Sequence, residues 1–266
     1  MEKKKSLTYA TDERNISVVQ RKPQQKGCTM FDLILDTETT NMLGISTEQP
    51  EPEHSLVYDL GGVVRDTKSG EIVDSFSFVL TETFFNERLM NSAYYADKRT
   101  IYLDGMGTEW EYVSTVYAWE YVNNIIKKYN IRTVWAYNAR FDVLTLNNTV
   151  RHYSNGWRKY FFPYNVKVKD VWARCSNITG TKKYVLWCID NGYISEKNIP
   201  KTGAEYVYRY IIGDTNFIES HTAKDDAMIE SAILTYAQHT KKGKSRKGWG
   251  NGHIPARRMY NELHKK

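Results

Sequence analysis

The chain alternates short apolar runs with longer stretches of three- and four-residue periodicity. Phe31–Asp36 (FDLILD) is a mostly apolar run of strand length. Residues 55–65 (SLVYDLGGVVR) and 71–80 (EIVDSFSFVL) read as two further strands, with Asp66-Thr-Lys-Ser-Gly70 as the turn between them. Residues 82–104 are less regular and suit a helix around Phe84–Tyr94, then a loop. From Val113 to Tyr129 the positions Val116, Trp119, Val122, Ile125 and Ile126 predict a helix with one apolar face. Ile131–Tyr137 (IRTVWAY) reads as a strand. Ala139–Val150, with Phe141, Leu144, Leu146 and Val150, reads as a helix, and residues 165–172 as another strand. Helices are expected over roughly 180–190 and 202–212. The last, Thr222–His239, would bury Met228, Ile229, Ala232, Ile233 and Tyr236 on one side. A strand meander followed by βα units predicts an α/β mixed sheet flanked by helices.

Composition changes this picture at the two ends. Residues 1–29 form a basic polar extension without a sustained period, and residues 241–266 a basic Gly/Lys-rich tail. This leaves residues 30–240 as one domain. The extension carries seven Lys/Arg against three Asp/Glu, and the tail nine against one. Since the whole chain has a net charge of +6, the body between them carries −6. A net basic charge alone would point to nucleic acid bound by the ends. An acidic body asks instead why the domain wants carboxylates.

Hydrophobic residues at 41% and charged residues at 26% are ordinary for a globular chain, which excludes wholesale disorder. No apolar run is long enough to span a membrane. The early lysines are followed by no apolar segment, so a secretory signal is not expected. Cys28, Cys175 and Cys188 contain no C-x-x-C pair, which fits a reducing cytosol and a cytoplasmic protein. Abundant Tyr, Asn, Lys and Ile suggest an A/T-rich coding sequence, as in a bacteriophage or a low-GC bacterium. The surplus tyrosines therefore carry no functional argument.

Three acidic patterns stand at the ends of elements. Asp36 and Glu38 close the first strand at i and i+2, so both side chains share one face. Asn138-Ala-Arg-Phe-Asp142 opens a helix straight after a buried strand, with Asn138 as its cap and Asp142 above it. His221-Thr-Ala-Lys-Asp-Asp226 opens the last helix. There Thr222 and Asp225 form a capping-box variant that leaves Asp226 free, with His221 on the preceding loop. Each pattern alone also suits a solvated turn or a well-capped helix. Together, in this order, they place four carboxylates and a histidine where α/β sheets put their sites. Carboxylates without Cys or paired His select Mg²⁺ or Mn²⁺ over zinc.

The motifs Asp36-Thr-Glu-Thr-Thr-Asn-Met42, Tyr137-Asn-Ala-Arg-Phe-Asp-Val143 and His221-Thr-Ala-Lys-Asp-Asp-Ala227 resemble those of the DEDDh (DnaQ-like) 3′→5′ exonucleases. That family includes the proofreading epsilon subunit of bacterial DNA polymerase III, RNase T and oligoribonuclease. The resemblance covers roughly residues 30–240. It implies a ribonuclease H-like sheet and two Mg²⁺ (or Mn²⁺) ions held by Asp36, Glu38, Asp142 and Asp226. Asp36 would bridge them and His221 would be the general base. Thr39, Met42, Asn138 and Phe141 would line the pocket for the terminal nucleotide.

The implied reaction releases nucleoside 5′-monophosphates from single-stranded or frayed DNA 3′ ends. An RNase T-like enzyme acting on RNA and a non-catalytic replisome or nucleic-acid adaptor are the alternatives. A proofreading role would need a separate DNA polymerase as partner. Asn41 departs from the family pattern, which has Gly there; it would keep the turn by adopting positive φ. Long spacings suggest insertions at 82–112 and 151–164. The stretch Lys241–Lys247 with Trp249 could track a phosphate backbone.

Overall fold

The computed structural model describes residues 30–41, 54–240 and 252–264. The extension 1–29, Met42, Cys28, Trp249 and residues 241–251 lie outside the described residues. Six strands form one mixed sheet in the order β4-β3-β2-β1-β5-β6. They are β1 Phe31–Asn41, β2 Ser55–Asp66, β3 Ile72–Leu80, β4 Glu111–Val113, β5 Thr133–Ala136 and β6 Lys167–Asp170. The meander β1-β2-β3 is antiparallel, and β4, β5 and β6 each pair in parallel.

The helices are α1 Thr81–Phe84, α2 Glu87–Met90, α3 Arg99–Asp104, α4 Thr115–Lys128, α5 Ala139–Tyr153 and α6 Val171–Arg174. They continue as α7 Ser176–Thr179, α8 Lys182–Asp190, α9 Ala204–Ile212, α10 Ala223–His239 and α11 His253–Leu263.

The central strand β1 has a helical layer on each face, which is why its sequence is a continuous apolar run rather than an alternating one. Leu33 and Leu35 join the core under α4 and α5, whereas Ile34 joins the core under α10. The β2–β3 turn forms as read. Asp66 Oδ1 accepts from the backbone N–H of Lys68 and Ser69, both at 2.7 Å, and Gly70 supplies the left-handed residue at φ 78°.

Three expectations change. The helix and loop expected over 82–104 are instead the short helices α1 to α3, which build a small core of Tyr58, Phe84, Met90, Tyr102 and Trp110. In α10 the buried side is Ile229, Ile233, Leu234 and Ala237, while Met228, Ala232 and Tyr236 face outward. The buried stripe takes in polar positions as well, Glu230 and Ser231. Within the basic tail, His253–Leu263 is the helix α11, docked on α7 and α8. Its entry is tight: a Cβ on Gly252 would lie 2.2 Å from the Trp172 ring.

Candidate active site

Strand β1 ends at the site. Its even positions face α10, so Asp36 and Glu38 project there together, as their spacing predicts. Thr37 faces the other layer and donates from Oγ1 to Asp142 Oδ1 at 2.9 Å, which ties the first turn of α5 to β1. Asp142 is buried at the sheet edge, between the two layers.

Asn138 does not cap α5 through its side chain. It sits in the left-handed region (φ 63°, ψ 47°) without a side-chain capping bond, and its carbonyl accepts from Phe141 N. Its value is conformational, because Asn tolerates this region better than most residues. Phe141 is half-buried and outside the core clusters. Thr39 is buried beside a bulge that falls between Glu38 and Thr39. Asn41 needs no positive φ: it is the last residue of β1, paired with Ser55.

The N-terminus of α10 carries the third motif. The expected capping box is absent. Thr222 Oγ1 donates instead to Asp225 Oδ2 at 3.0 Å, side chain to side chain. The cap comes from another strand: Asp59 Oδ2 accepts from Ala223 N at 2.9 Å and from Tyr102 Oη at 2.8 Å. Helix and sheet can meet here because β2 has Gly61, paired with Asp36. A Cβ at Gly61 would lie 2.0 Å from Lys224 N.

His221 occupies the loop just before the helix, at φ 51°. Its ring stacks on Tyr95, with centroids 4.5 Å apart, and Nδ1 lies 3.7 Å from Glu219 Oε2. Lys98 donates to the neighbouring Ser220 carbonyl at 2.5 Å. Residues of the 82–112 segment therefore hold the loop that carries His221. Burial and the Lys98 charge lower the His221 pKa, so its neutral, proton-accepting form is favoured.

Glu38, His221 and Asp226 each offer a ligand atom, and these atoms lie within 4.8 Å of one another. Burial raises the Asp36 pKa well above the usual carboxylate range, reinforced by the charges of Glu230, Asp142, Asp226 and Glu38. Burial likewise pushes Asp142 up to about 7 and, with Glu219 adding to it, Asp226 up to about 8. Glu38 is raised by burial and by Asp226. Carboxylates crowded in this way are at odds with one another unless protons or cations lie among them. Asp226 Oδ1 is buried with no hydrogen-bond partner. An orphaned oxygen in a set of carboxylates with a single His fits a hard divalent cation.

Four residues escaped the sequence reading. Glu230 is buried, accepts from Tyr137 N at 3.1 Å, and so ties the loop before α5 to α10. Its pKa is raised well above the usual value by burial, then by Asp142 and Asp226. Glu219 faces His221, Asp59 caps α10, and Gly61 admits it. A paired glycine in a strand is a readable signal of close backbone approach; nothing local marks the three acids.

No protein-family profile matches the chain, and no curated protein sequence matches it. Solved structures do. A full-length 3′-exonuclease superposes with a TM-score of 0.55 at 14% identity, over 85% of this chain and 90% of that one. The nuclease domain of 3′hExo, a DEDDh family member bound to rAMP, gives 0.53 at 14% identity, over 82% and 98%. The fold is that of the DEDDh 3′-exonucleases. E. coli Exonuclease I in complex with a dT13 oligonucleotide gives 0.51 at 12% identity; the match covers 88% of this chain and 42% of that one. The mixed sheet is thus ribonuclease H-like, as the motifs implied.

Proposed function

We propose that the protein is a divalent-metal-dependent 3′→5′ exonuclease that releases nucleoside 5′-monophosphates from single-stranded or frayed DNA 3′ ends. The observation that carries this reading is the convergence of Asp36, Glu38, Asp142, His221 and Asp226 at one sheet edge. They come from β1, α5, α10 and the loop before α10, segments far apart in the chain, in a fold shared with 3′-exonucleases.

Asp36, Glu38 and Asp226 would hold the cations, with Asp142 completing the set. A pair of Mg²⁺ or Mn²⁺ ions would supply an acidified water and charge neutralisation at the scissile phosphate. His221 accepts the proton of the attacking water while the new P–O bond forms and the P–O3′ bond breaks. Its lowered pKa keeps it able to accept at neutral pH. Asn138, with its left-handed backbone, and the half-buried Phe141 precede Asp142 in the chain, and both would contact the terminal nucleotide. Thr39, just after Glu38 on β1, and Met42, assigned from the motif alone, would contact the same nucleotide.

The solved structures of this fold carry both deoxyribonucleotide and ribonucleotide ligands, so the assay uses both. A 5′-labelled DNA strand and its RNA counterpart are incubated with Mg²⁺. The expected result is a ladder shrinking from the 3′ end, faster on DNA, and lost by about 10³-fold or more in Asp36→Ala. Faster loss of RNA moves the reading to an exoribonuclease. Intact strands with both substrates overturn it. His221→Ala should slow turnover while Mg²⁺ binding, followed by calorimetry, persists.

A further inference from the structure

The body of the chain is acidic, yet from Val143 to Lys169 it contains no Asp or Glu. That stretch carries Arg151, Arg158, Lys159, Lys167 and Lys169. None of these makes an ion pair among the described residues. Trp157, Tyr160 and Tyr164 lie in the same stretch and are exposed, Trp157 at 76%.

The loop 154–166 is pinned. The Arg158 guanidinium lies 3.9 Å from the centre of the Trp119 ring and 4.1 Å from that of Trp157, which makes a stack rising from α4 to the exposed indole. Arg158 N donates to Ser154 Oγ at 2.9 Å. Phe161 is buried; its N–H donates to Asn147 Oδ1 at 2.7 Å and its carbonyl accepts from Asn123 Nδ2 at 3.1 Å. Lys159 and Tyr160 project between these pins.

We infer that this loop is a docking surface for single-stranded nucleic acid upstream of the 3′ end. The inference rests on the exonuclease reading and extends it to the body of the substrate. Unpaired cations complement a phosphate backbone, and an aromatic face already held on an Arg–Trp stack accepts a base with little further ordering. The loop begins where α5 ends, twelve residues after Asp142, or about 18 Å along the helix. A single strand, more extended than the 3.4 Å per nucleotide of a duplex strand, covers this distance in fewer than about five nucleotides. Only substrates longer than this reach both places.

The test compares a DNA strand of about 2 nucleotides with one of about 16 on full-length protein and on Trp157→Ala/Lys159→Ala. Both side chains are exposed, and Arg158 on Trp119 and the Phe161 backbone bonds still pin the loop, so the fold is undisturbed. The expected result is a KM raised about tenfold for the long strand, unchanged kcat, and unchanged KM and kcat for the short one. Equal effects on both lengths, or none, overturn the inference, and an unaffected long strand assigns the face to a protein instead. Should the wild type cleave neither strand, the exonuclease reading fails by itself. Fluorescence anisotropy of the long strand then decides the surface: lost binding in the variant sustains it, and equal binding overturns it.

Discussion

Helix α5 joins two regions of opposite chemistry. At its first turn Asp142 is buried, bonded to Thr37 and surrounded by other carboxylates. Past its last turn, Arg158 and Lys159 have no acidic partner among the described residues, and Trp157 is open to solvent. The acidic end is built by long-range tethers: Thr37 to Asp142, Asp59 to Ala223, Glu230 to Tyr137. The basic end is built from one loop pinned to its neighbouring helices. Like charges can be held together only by a scaffold that prevents relaxation, and they then attract cations. Exposed cations screened by water need no such scaffold and attract anions directly. A polyanion hydrolysed with the help of cations would use both.

The sharpest way to break the acidic end is Gly61→Val. A side chain there collides with the α10 backbone, shifts Asp226 and His221, and should cut exonuclease turnover by about 10²-fold. Binding of a long strand to the basic loop should survive; if it falls equally, the two regions are not separable.

Next in size is the pH response of the metal-free protein. Asp142 and Asp226 have folded pKa values raised to about 7 and about 8 from 3.8. The folded state thus binds more protons than the unfolded chain between about pH 4 and about pH 8, and stability falls as pH rises through that window. Thermal unfolding in chelator should show a declining Tm, a shallower decline in Asp226→Asn, and recovery on adding Mg²⁺. A Tm that climbs over this range contradicts the crowding of carboxylates.

The smallest effect is expected from Asn147→Ala, which removes one pin of the basic loop. It should cost about 1 kcal/mol of stability and weaken long-strand binding, with the short-strand rate intact.

Much of this was legible in the chain. The apolar runs and periods located every strand of the meander, the helices α4, α5 and α10, and the Asp66–Gly70 turn. The five motif residues were readable because they sit at the ends of elements whose order already brings them to one edge. The capping roles were misread for a physical reason. Asn138 and Thr222 have the residue types of caps, but a cap is a geometry, and here Asn138 is left-handed and the α10 cap comes from Asp59 on β2. Glu230 was invisible because a Glu inside a helix is usually a solvated residue. Only the fit of α10 against the sheet buries it. Helix α11 was hidden by a Gly- and Lys-rich approach whose composition reads as a tail.

The chain alone was enough for the α/β class, the order of the meander and of α4, β5, α5, β6 and α10, and four of the clustered acids (Asp36, Glu38, Asp142 and Asp226), because these follow from local periodicity and spacing. The tertiary structure alone decided which acids face one another, which partner caps α10, and that Tyr95 stacks on His221 while Lys98 holds the neighbouring Ser220 carbonyl. Those facts depend on contacts between residues far apart in the chain, and on burial that turns ordinary carboxylates into groups with pKa values raised to about 7 and about 8.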